Sequence, residues 1–145
     1  MRKIKIKWMC NKDVAVTAPE YKTKDSVGCD LFNMGGEITL LPLDRAFIRT
    51  GVHISLPEGY EAQVRSRSGL NKNHGIVCPT GTIDSDYRGE IGVVLYNLSR
   101  EPYTIHPYDR VAQLVISTVI QAEWQQVDHL DKTDRGDGGF GSTGK

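Results

Sequence analysis

Val52-His53-Ile54-Ser55-Leu56-Pro57-Glu58-Gly59-Tyr60-Glu61-Ala62-Gln63-Val64 holds two alternating runs of apolar and polar residues on either side of a Pro-Glu-Gly break. Val52, Ile54 and Leu56 fall in phase before the break, and Tyr60, Ala62 and Val64 after it. Side chains two apart share one face of an extended chain, so each run reads as a half-buried strand and not as a helix. The first run extends back to Phe47. Outward from this pair the same period returns at Ile4, Ile6 and Trp8, while Ile91 to Leu95 and Val111 to Val119 are richer in β-branched residues and read as central strands. Pro42, Gly51, Gly89, Pro102 and Pro107 punctuate the intervals. Helical candidates are brief: Ser68 to Asn73, and a turn near Ala122 to Gln125. Neither is long enough for the crossover of a parallel sheet, so we expect an all-β sandwich or barrel of short strands.

The chain has 145 residues, 39% hydrophobic and 25% charged, enough for one core and not for two. Lys plus Arg and Asp plus Glu each number 18, a formal net charge of +0. No overall field draws the molecule to nucleic acid or an anionic membrane, and any anion site has to be built locally. Cys10, Cys29 and Cys78 are odd in number, far apart and form no Cys-x-x-Cys pair, which argues against a disulfide framework or a thiolate zinc site and for a reducing compartment. The opening Met1-Arg2-Lys3-Ile4-Lys5-Ile6-Lys7-Trp8 alternates charge with apolar residues instead of forming the apolar stretch of a signal peptide, and no later run reaches membrane-spanning length. The expectation is a cytoplasmic protein with no nucleic-acid or membrane partner.

From Asp131 the composition changes. Asp131 to Lys145 carries five of the chain's 15 glycines and cannot pack a core of its own. We expect one domain over 1–130 and a flexible glycine-rich arm over 131–145. Within the arm, Arg135 offers a fixed fork for phosphate, and Phe140 is a lone aromatic among glycines that let backbone approach a ligand. Ser142 and Thr143 add hydroxyls beside exposed N–H groups. Together they suit a strap ordered by a phosphorylated, ring-bearing ligand.

Two internal stretches also carry chemistry. Asp84 and Asp86 point to one face if the chain is extended, with Ile83 and Ser85 on the other, whereas a turn over Asp84 to Gly89 separates them. A turn held by Asx hydrogen bonds is the competing role for these aspartates. Arg65 and Arg67 share a strand face, and Ser68 and Gly69 follow where the strand must turn into the short helix. That junction exposes backbone N–H groups beside a guanidinium and a hydroxyl, a phosphate seat by geometry. Arg65 itself reads better as a surface cation or intersubunit ion pair. Arg110, just before an apolar strand, either braces an interface or touches a ligand.

Five segments follow one another in a known family's order: Gly28-Cys29-Asp30-Leu31, Arg67-Ser68-Gly69-Leu70, Gly81-Thr82-Ile83-Asp84-Ser85-Asp86-Tyr87-Arg88-Gly89, Asp109-Arg110-Val111-Ala112-Gln113-Leu114 and Arg135-Gly136-Asp137-Gly138-Gly139-Phe140-Gly141-Ser142-Thr143-Gly144. Through them the chain closely resembles the homotrimeric deoxyuridine triphosphatases (dUTPases) from about Val27 to Gly144. The last segment matches the family's fifth motif in full. The resemblance implies a distorted jelly-roll barrel or sandwich with one short helix and a C-terminal arm, assembled as a homotrimer. Each active site would take its first, second and fourth motifs from one subunit, its third from a neighbour and its tail from the remaining chain.

The activity implied is hydrolysis of dUTP to dUMP and pyrophosphate with Mg²⁺, limiting dUTP and supplying dUMP for thymidylate synthesis. Asp84 would orient and deprotonate the water that attacks the α-phosphorus. Mg²⁺ would be chelated by the phosphates, with Asp30 touching its hydration shell. Arg67, Ser68, Gly69, Gln113 and Arg135 would surround the phosphates. Gly81 and Ile83 belong to the region, with a hairpin around Val77 to Gly81, that would present backbone groups to the uracil. Tyr87 would pack on the deoxyribose and leave no room for a 2′-hydroxyl. Phe140 would stack on the base, with Gly141, Ser142 and Thr143 completing the strap. Asp109 has either a turn contact or a ligand role.

The chain departs from the usual family pattern at four places. Ser66 stands where proline commonly precedes the Arg-Ser-Gly triplet, Asn71 replaces a frequent alanine, and Cys78-Pro79-Thr80 is an unusual form of the uracil hairpin. Tyr108 occupies a usual glycine, and at positive φ it would be strained. Two functions compete: a dCTP deaminase, against which the complete Phe140 tail and intact third motif argue, and a noncatalytic nucleotide-responsive regulator, against which the retained Asp30, Asp84, Tyr87 and Phe140 argue.

Overall fold

A computed structural model describes residues 3–139 of the chain. Both runs around Pro57-Glu58-Gly59 form strands, β5 (Val52–Ser55) and β6 (Tyr60–Arg65), and Gly59 turns between them at φ 80°, a conformation that favours glycine. They do not pair with each other. β5 pairs with β1 (Lys7–Cys10), while β6 lies between β11 (Arg110–Thr118) and β8 (Gly81–Ile83). The break therefore carries the chain from one sheet to another.

The remaining elements are β2 (Gly28–Phe32), β3 (Ile38–Leu40), β4 (Arg45–Arg49), α1 (Ser68–His74), β7 (Ile76–Val77), β9 (Gly92–Asn97) and β10 (Tyr103–Ile105). Four sheets result, ordered β1-β5, β10-β3, β2-β11-β6-β8 and β4-β9-β7, and every strand pairing is antiparallel. None closes on itself among the described residues, so the all-β fold takes the sandwich form. The expected helix after Arg67 is present as α1, ended by Gly75 at φ 65°.

Alternation places the core. Val52, Ile54, Ala62, Val64, Val93 and Leu95 are buried and the strand residues between and beside them are not, so the inner faces of the sheets meet in one apolar cluster with Leu31, Leu40, Ile48 and Ile105. On β11, Val111 and Ala112 are both buried because a register shift between Arg110 and Ala112 lets consecutive residues face inward. The run expected from Phe47 to Leu56 is cut at Gly51, where φ is 67° and an added Cβ would lie 2.6 Å from Val14. Ile4 and Ile6 are half-buried but precede β1 and are not part of it.

Two expectations need correction. No turn or helix forms over residues 122–125: regular structure ends at Thr118, and Ile120, Trp124 and Leu130 are 98%, 92% and 86% exposed. The stretch Val77 to Gly81 is not a hairpin, because β7 pairs with β9 and β8 with β6, so Cys78-Pro79-Thr80 crosses between two sheets. No helix among the described residues is long and apolar enough to cross a membrane.

Two loops share one construction. In Leu41-Pro42-Leu43-Asp44 and His106-Pro107-Tyr108-Asp109, the fourth residue's N–H bonds the first residue's carbonyl, at 3.0 and 3.2 Å. In each the aspartate carboxylate takes the first residue's N–H, at 3.0 and 2.8 Å. The third residue has positive φ, 69° at Leu43 and 67° at Tyr108. These are type II turns with proline in its favoured place and a bulky residue where glycine is usual. Asp109 is thus a turn residue, and Tyr108 holds the strained conformation expected of it.

Candidate active site

Antiparallel register brings the first, second and fourth motifs together at one end of the four-stranded sheet. Asp30 on β2 lies opposite Gln113 on β11, and Gln113 lies opposite Arg65 on β6. Where β6 ends, Arg67 serves as the N-cap of α1 with extended backbone, φ −86° and ψ 126°. From there its Nε donates to Asp30 Oδ1 at 3.2 Å and its terminal nitrogen to the Arg110 carbonyl at 3.0 Å. Arg110 reaches the other Asp30 oxygen at 3.4 Å. Gln113 Nε2 donates to the Ser66 carbonyl at 2.9 Å, fixing the residue before the seat. Arg65 instead turns along its own strand to Gln63.

This is a carboxylate with 15% exposure held between two guanidinium groups, beside a helix start. The first turn of α1 leaves the N–H groups of Ser68, Gly69 and Leu70 without helical partners, and the N-cap side chain makes no capping bond. Gly69 has open space where a Cβ would be, so nothing among the described residues requires glycine there. Gly28 is different: an added Cβ would overlap the Gln113 side chain, so glycine is what lets Gln113 lie across β2.

The third motif lies elsewhere. β8 ends at Ile83, and Tyr87 N–H bonds the Asp84 carbonyl at 3.2 Å, which makes Asp84 to Tyr87 a turn and separates Asp84 from Asp86. Both carboxylates are exposed and make no hydrogen bond with the described residues. Ile83 packs its side chain against the core and pairs with Ala62 at the end of β8. Two strands stand between β2 and β8, so Asp84 is about 14 Å or more from Asp30 at the usual strand spacing. One chain does not bring the two aspartates into a single pocket.

The turn that carries Asp84 is strongly anchored. Tyr87 donates its hydroxyl to the Glu90 carbonyl at 3.0 Å, and an added Cβ on Gly89 would overlap that tyrosine. The Glu90 carboxylate receives Gly51 N–H at 2.9 Å, Asn11 Nδ2 at 2.8 Å and Arg49 at 3.1 Å. Burial raises its pKa, but these donors outweigh burial and hold it below its ordinary value of 4.5. His53 bridges the Arg88 carbonyl at 2.9 Å and Asn11 Oδ1 at 2.7 Å.

Between the third motif and β9 is a cleft of about 270 Å³ lined by Val64, Cys78, Pro79, Thr80, Gly81, Gly92, Val94 and Tyr96. Gly92 is glycine because the Phe47 ring fills the place of a Cβ. Burial pushes the Cys78 thiol up to about 11, so it stays protonated as a plain wall of the cleft. In the arm, Arg135 bonds the Gly138 carbonyl at 2.8 Å and does not join the Asp30 cluster. Phe140, Gly141, Ser142 and Thr143 lie outside the described residues.

The dUTPase family model matches residues 15–144. The chain belongs to the dUTPase family. It is 46% identical over 148 residues to the deoxyuridine 5′-triphosphate nucleotidohydrolase of Fusobacterium nucleatum, with all of both chains covered. It is 55% identical over 131 residues to the enzyme of that name from Ehrlichia canis, covering 87% of this chain and 86% of the relative. The fold matches the dUTPase of Staphylococcus bacteriophage 80alpha, solved with dUPNHPP, at TM-score 0.88 and 28% identity, covering 99% of this chain and all of that one. It also matches a variant dUTPase of the S. aureus phage phi11 that coordinates a structural Mg(II) ion, at TM-score 0.79 and 26% identity, covering 89% and 100%. The chain is an enzyme of this family, with its all-β jelly-roll fold.

Among the described residues no group of three His, Cys, Asp or Glu side chains could form a metal cage. Asp30 still fits an outer-sphere role: its two oxygens each take one arginine bond, and a carboxylate has about four acceptor sites. Several residues that shape this candidate site were not identified from sequence. Gly28 and Gly89 were visible only as motif letters, and Glu90 draws its partners from two distant segments, Asn11 and the Arg49 to Gly51 turn. Gly92 did carry a signal, a glycine inside a strand pattern, which marks close backbone approach.

Proposed function

We propose that the protein hydrolyses dUTP to dUMP and pyrophosphate in a homotrimer whose subunits share each site. The observation that carries this reading is the Asp30 carboxylate between Arg67 and Arg110 at the start of α1, in a chain of the dUTPase family. A nucleoside triphosphate brings about four negative charges, which need donors already in place. Arg67, Arg110 and the free N–H groups of Ser68 and Gly69 supply them, and Gln113 keeps the strand end before them in position. Gly69, required by nothing among the described residues, lets a phosphate approach the helix backbone.

Mg²⁺, when bound to the phosphates, would withdraw charge from the reacting centre, with Asp30 holding its hydration shell. The water is oriented and deprotonated by Asp84 of a neighbouring subunit, whose carboxylate is free to do so. Attack falls on the α-phosphorus, and pyrophosphate leaves. Tyr87, locked by its bond to Glu90, forms the wall against deoxyribose. The cleft beside Thr80 and Gly81 receives the uracil.

Two features support trimer assembly: the separation of Asp30 from Asp84, and apolar residues left bare in one subunit. Phe47, Ile120, Trp124 and Leu130 are 63%, 98%, 92% and 86% exposed. The domain over 1–130 thus carries the pocket, and the arm over 131–145, with Arg135, Phe140, Gly141, Ser142 and Thr143, closes a neighbour's. We place the enzyme in the cytoplasm, where its three free cysteines stay reduced.

The test is product analysis with dUTP, dCTP, dTTP and UTP, with and without Mg²⁺, in isotopically labelled water. Label in dUMP supports attack on the α-phosphorus. Label in pyrophosphate, or ammonia released from dCTP, overturns the proposal.

A further inference from the structure

Ser66 joins two parts of the molecule that the sequence treats separately. Its Oγ donates to the Cys78 carbonyl at 2.9 Å and accepts the Cys78 N–H at 2.7 Å. Its own carbonyl receives Gln113 Nε2 at 2.9 Å. The residue just before the Arg67 seat is thereby pinned to the Cys78-Pro79-Thr80 crossover, which lines the cleft.

The crossover needs such a clip. It runs between β7 and β8, which belong to different sheets, so residues 78–80 are outside the strand pairings. Cys78 is 6% exposed, and its backbone groups need partners within the protein. One hydroxyl satisfies both. Proline, the more usual residue at position 66 in the resembling family, has no side-chain group for either bond.

We propose that Ser66 is a positioning residue for base selection, setting the crossover wall so that the Thr80 and Gly81 backbone accepts uracil and not cytosine. This rests on the reading that the cleft is the base site. The two pyrimidines differ at one edge, where a carbonyl in uracil is replaced by an amino group. Backbone groups tell them apart only while their direction is fixed. Without the clip, Cys78 keeps its place in the chain but loses both restraints, and the wall can turn to either edge.

The experiment uses the full-length protein with Ser66→Ala and Ser66→Thr. Calorimetry with Mg²⁺ measures Kd for two nonhydrolysable α,β-imido triphosphates, of deoxyuridine and of deoxycytidine. Hydrogen exchange follows the Cys78 amide. Ser66→Ala is expected to lower the uracil-over-cytosine Kd ratio about tenfold, the scale of one or two lost hydrogen bonds, and to speed exchange at Cys78. Ser66→Thr, which keeps the hydroxyl, is expected to restore the ratio. The ratio does not depend on how much of the sample is folded, so a purely structural role would leave it unmoved. An unchanged ratio in Ser66→Ala overturns the proposal, whether or not exchange speeds up. The binding ratio remains readable if the wild-type protein fails to release dUMP, so that failure would count against the hydrolysis alone.

Discussion

Asp30 and Asp84 belong to opposite edges of one four-stranded sheet, on β2 and directly after β8, with β11 and β6 between them. A pocket needing both must draw them from different subunits. Arg67→Ala and Asp84→Asn, each inactive alone, should therefore complement each other. Subunits mixed at equal amounts by co-refolding are expected to regain about a quarter of wild-type kcat, the share of pockets receiving both intact motifs by random assembly. Recovery of none would mean that each chain builds its own site.

Gly89 makes room for Tyr87. Gly89→Ala should push the ring off its proposed place against the sugar, raising KM for dUTP and increasing kcat/KM for UTP relative to dUTP by about tenfold. Gly36, with nothing near its missing Cβ, is the control, and Gly36→Ala should leave the ratio as it was.

The two type II turns carry strain at Leu43 and Tyr108. A left-handed conformation costs an L-residue about 1–2 kcal/mol, and glycine gives back part of that relief as entropy. Leu43→Gly and Tyr108→Gly should each stabilise the fold by roughly 0.5–1 kcal/mol, read from denaturant midpoints. A lower midpoint in both would show that the side chains contribute more than the backbone strain costs.

Glu90 links acid stability to the turn that carries Asp84. Its folded pKa lies below 4.5, so its contribution is fully present above that value and is lost as pH falls through the folded pKa. Stability between pH 7 and pH 3 should therefore decline less steeply in Glu90→Gln than in wild type. The check is a series of urea titrations across that range. Equal slopes would remove Glu90 from the account.

What could be read from sequence followed from local pattern. Val52, Ile54, Ala62 and Val64 announced their strands because alternation needs only neighbours, and α1 followed Arg67 because the strand had to turn there. Pairing partners are set over long distances, so the Val77 to Gly81 segment looked like a hairpin although its two strands join different sheets. Ala122 to Gln125 had a helical composition but gains no packing from its own chain, and isolated helices that short do not hold. Asp84 was singled out by its motif, and its catalytic role remains the proposal made above. Its anchoring through Glu90 was invisible, because Asn11, Arg49 and Gly51 meet only after folding. Ser66 stood out only as a departure from the usual proline, and its hydroxyl's two bonds to the Cys78 backbone appear only once the chain is folded.

The stretch after Thr118 leaves Ile120, Trp124 and Leu130 in water when a subunit stands by itself. In the proposed trimer, solubility and assembly are then one property. Conditions that separate the subunits should yield cloudy solutions instead of well-behaved single chains, and melting should shift upward with protein concentration.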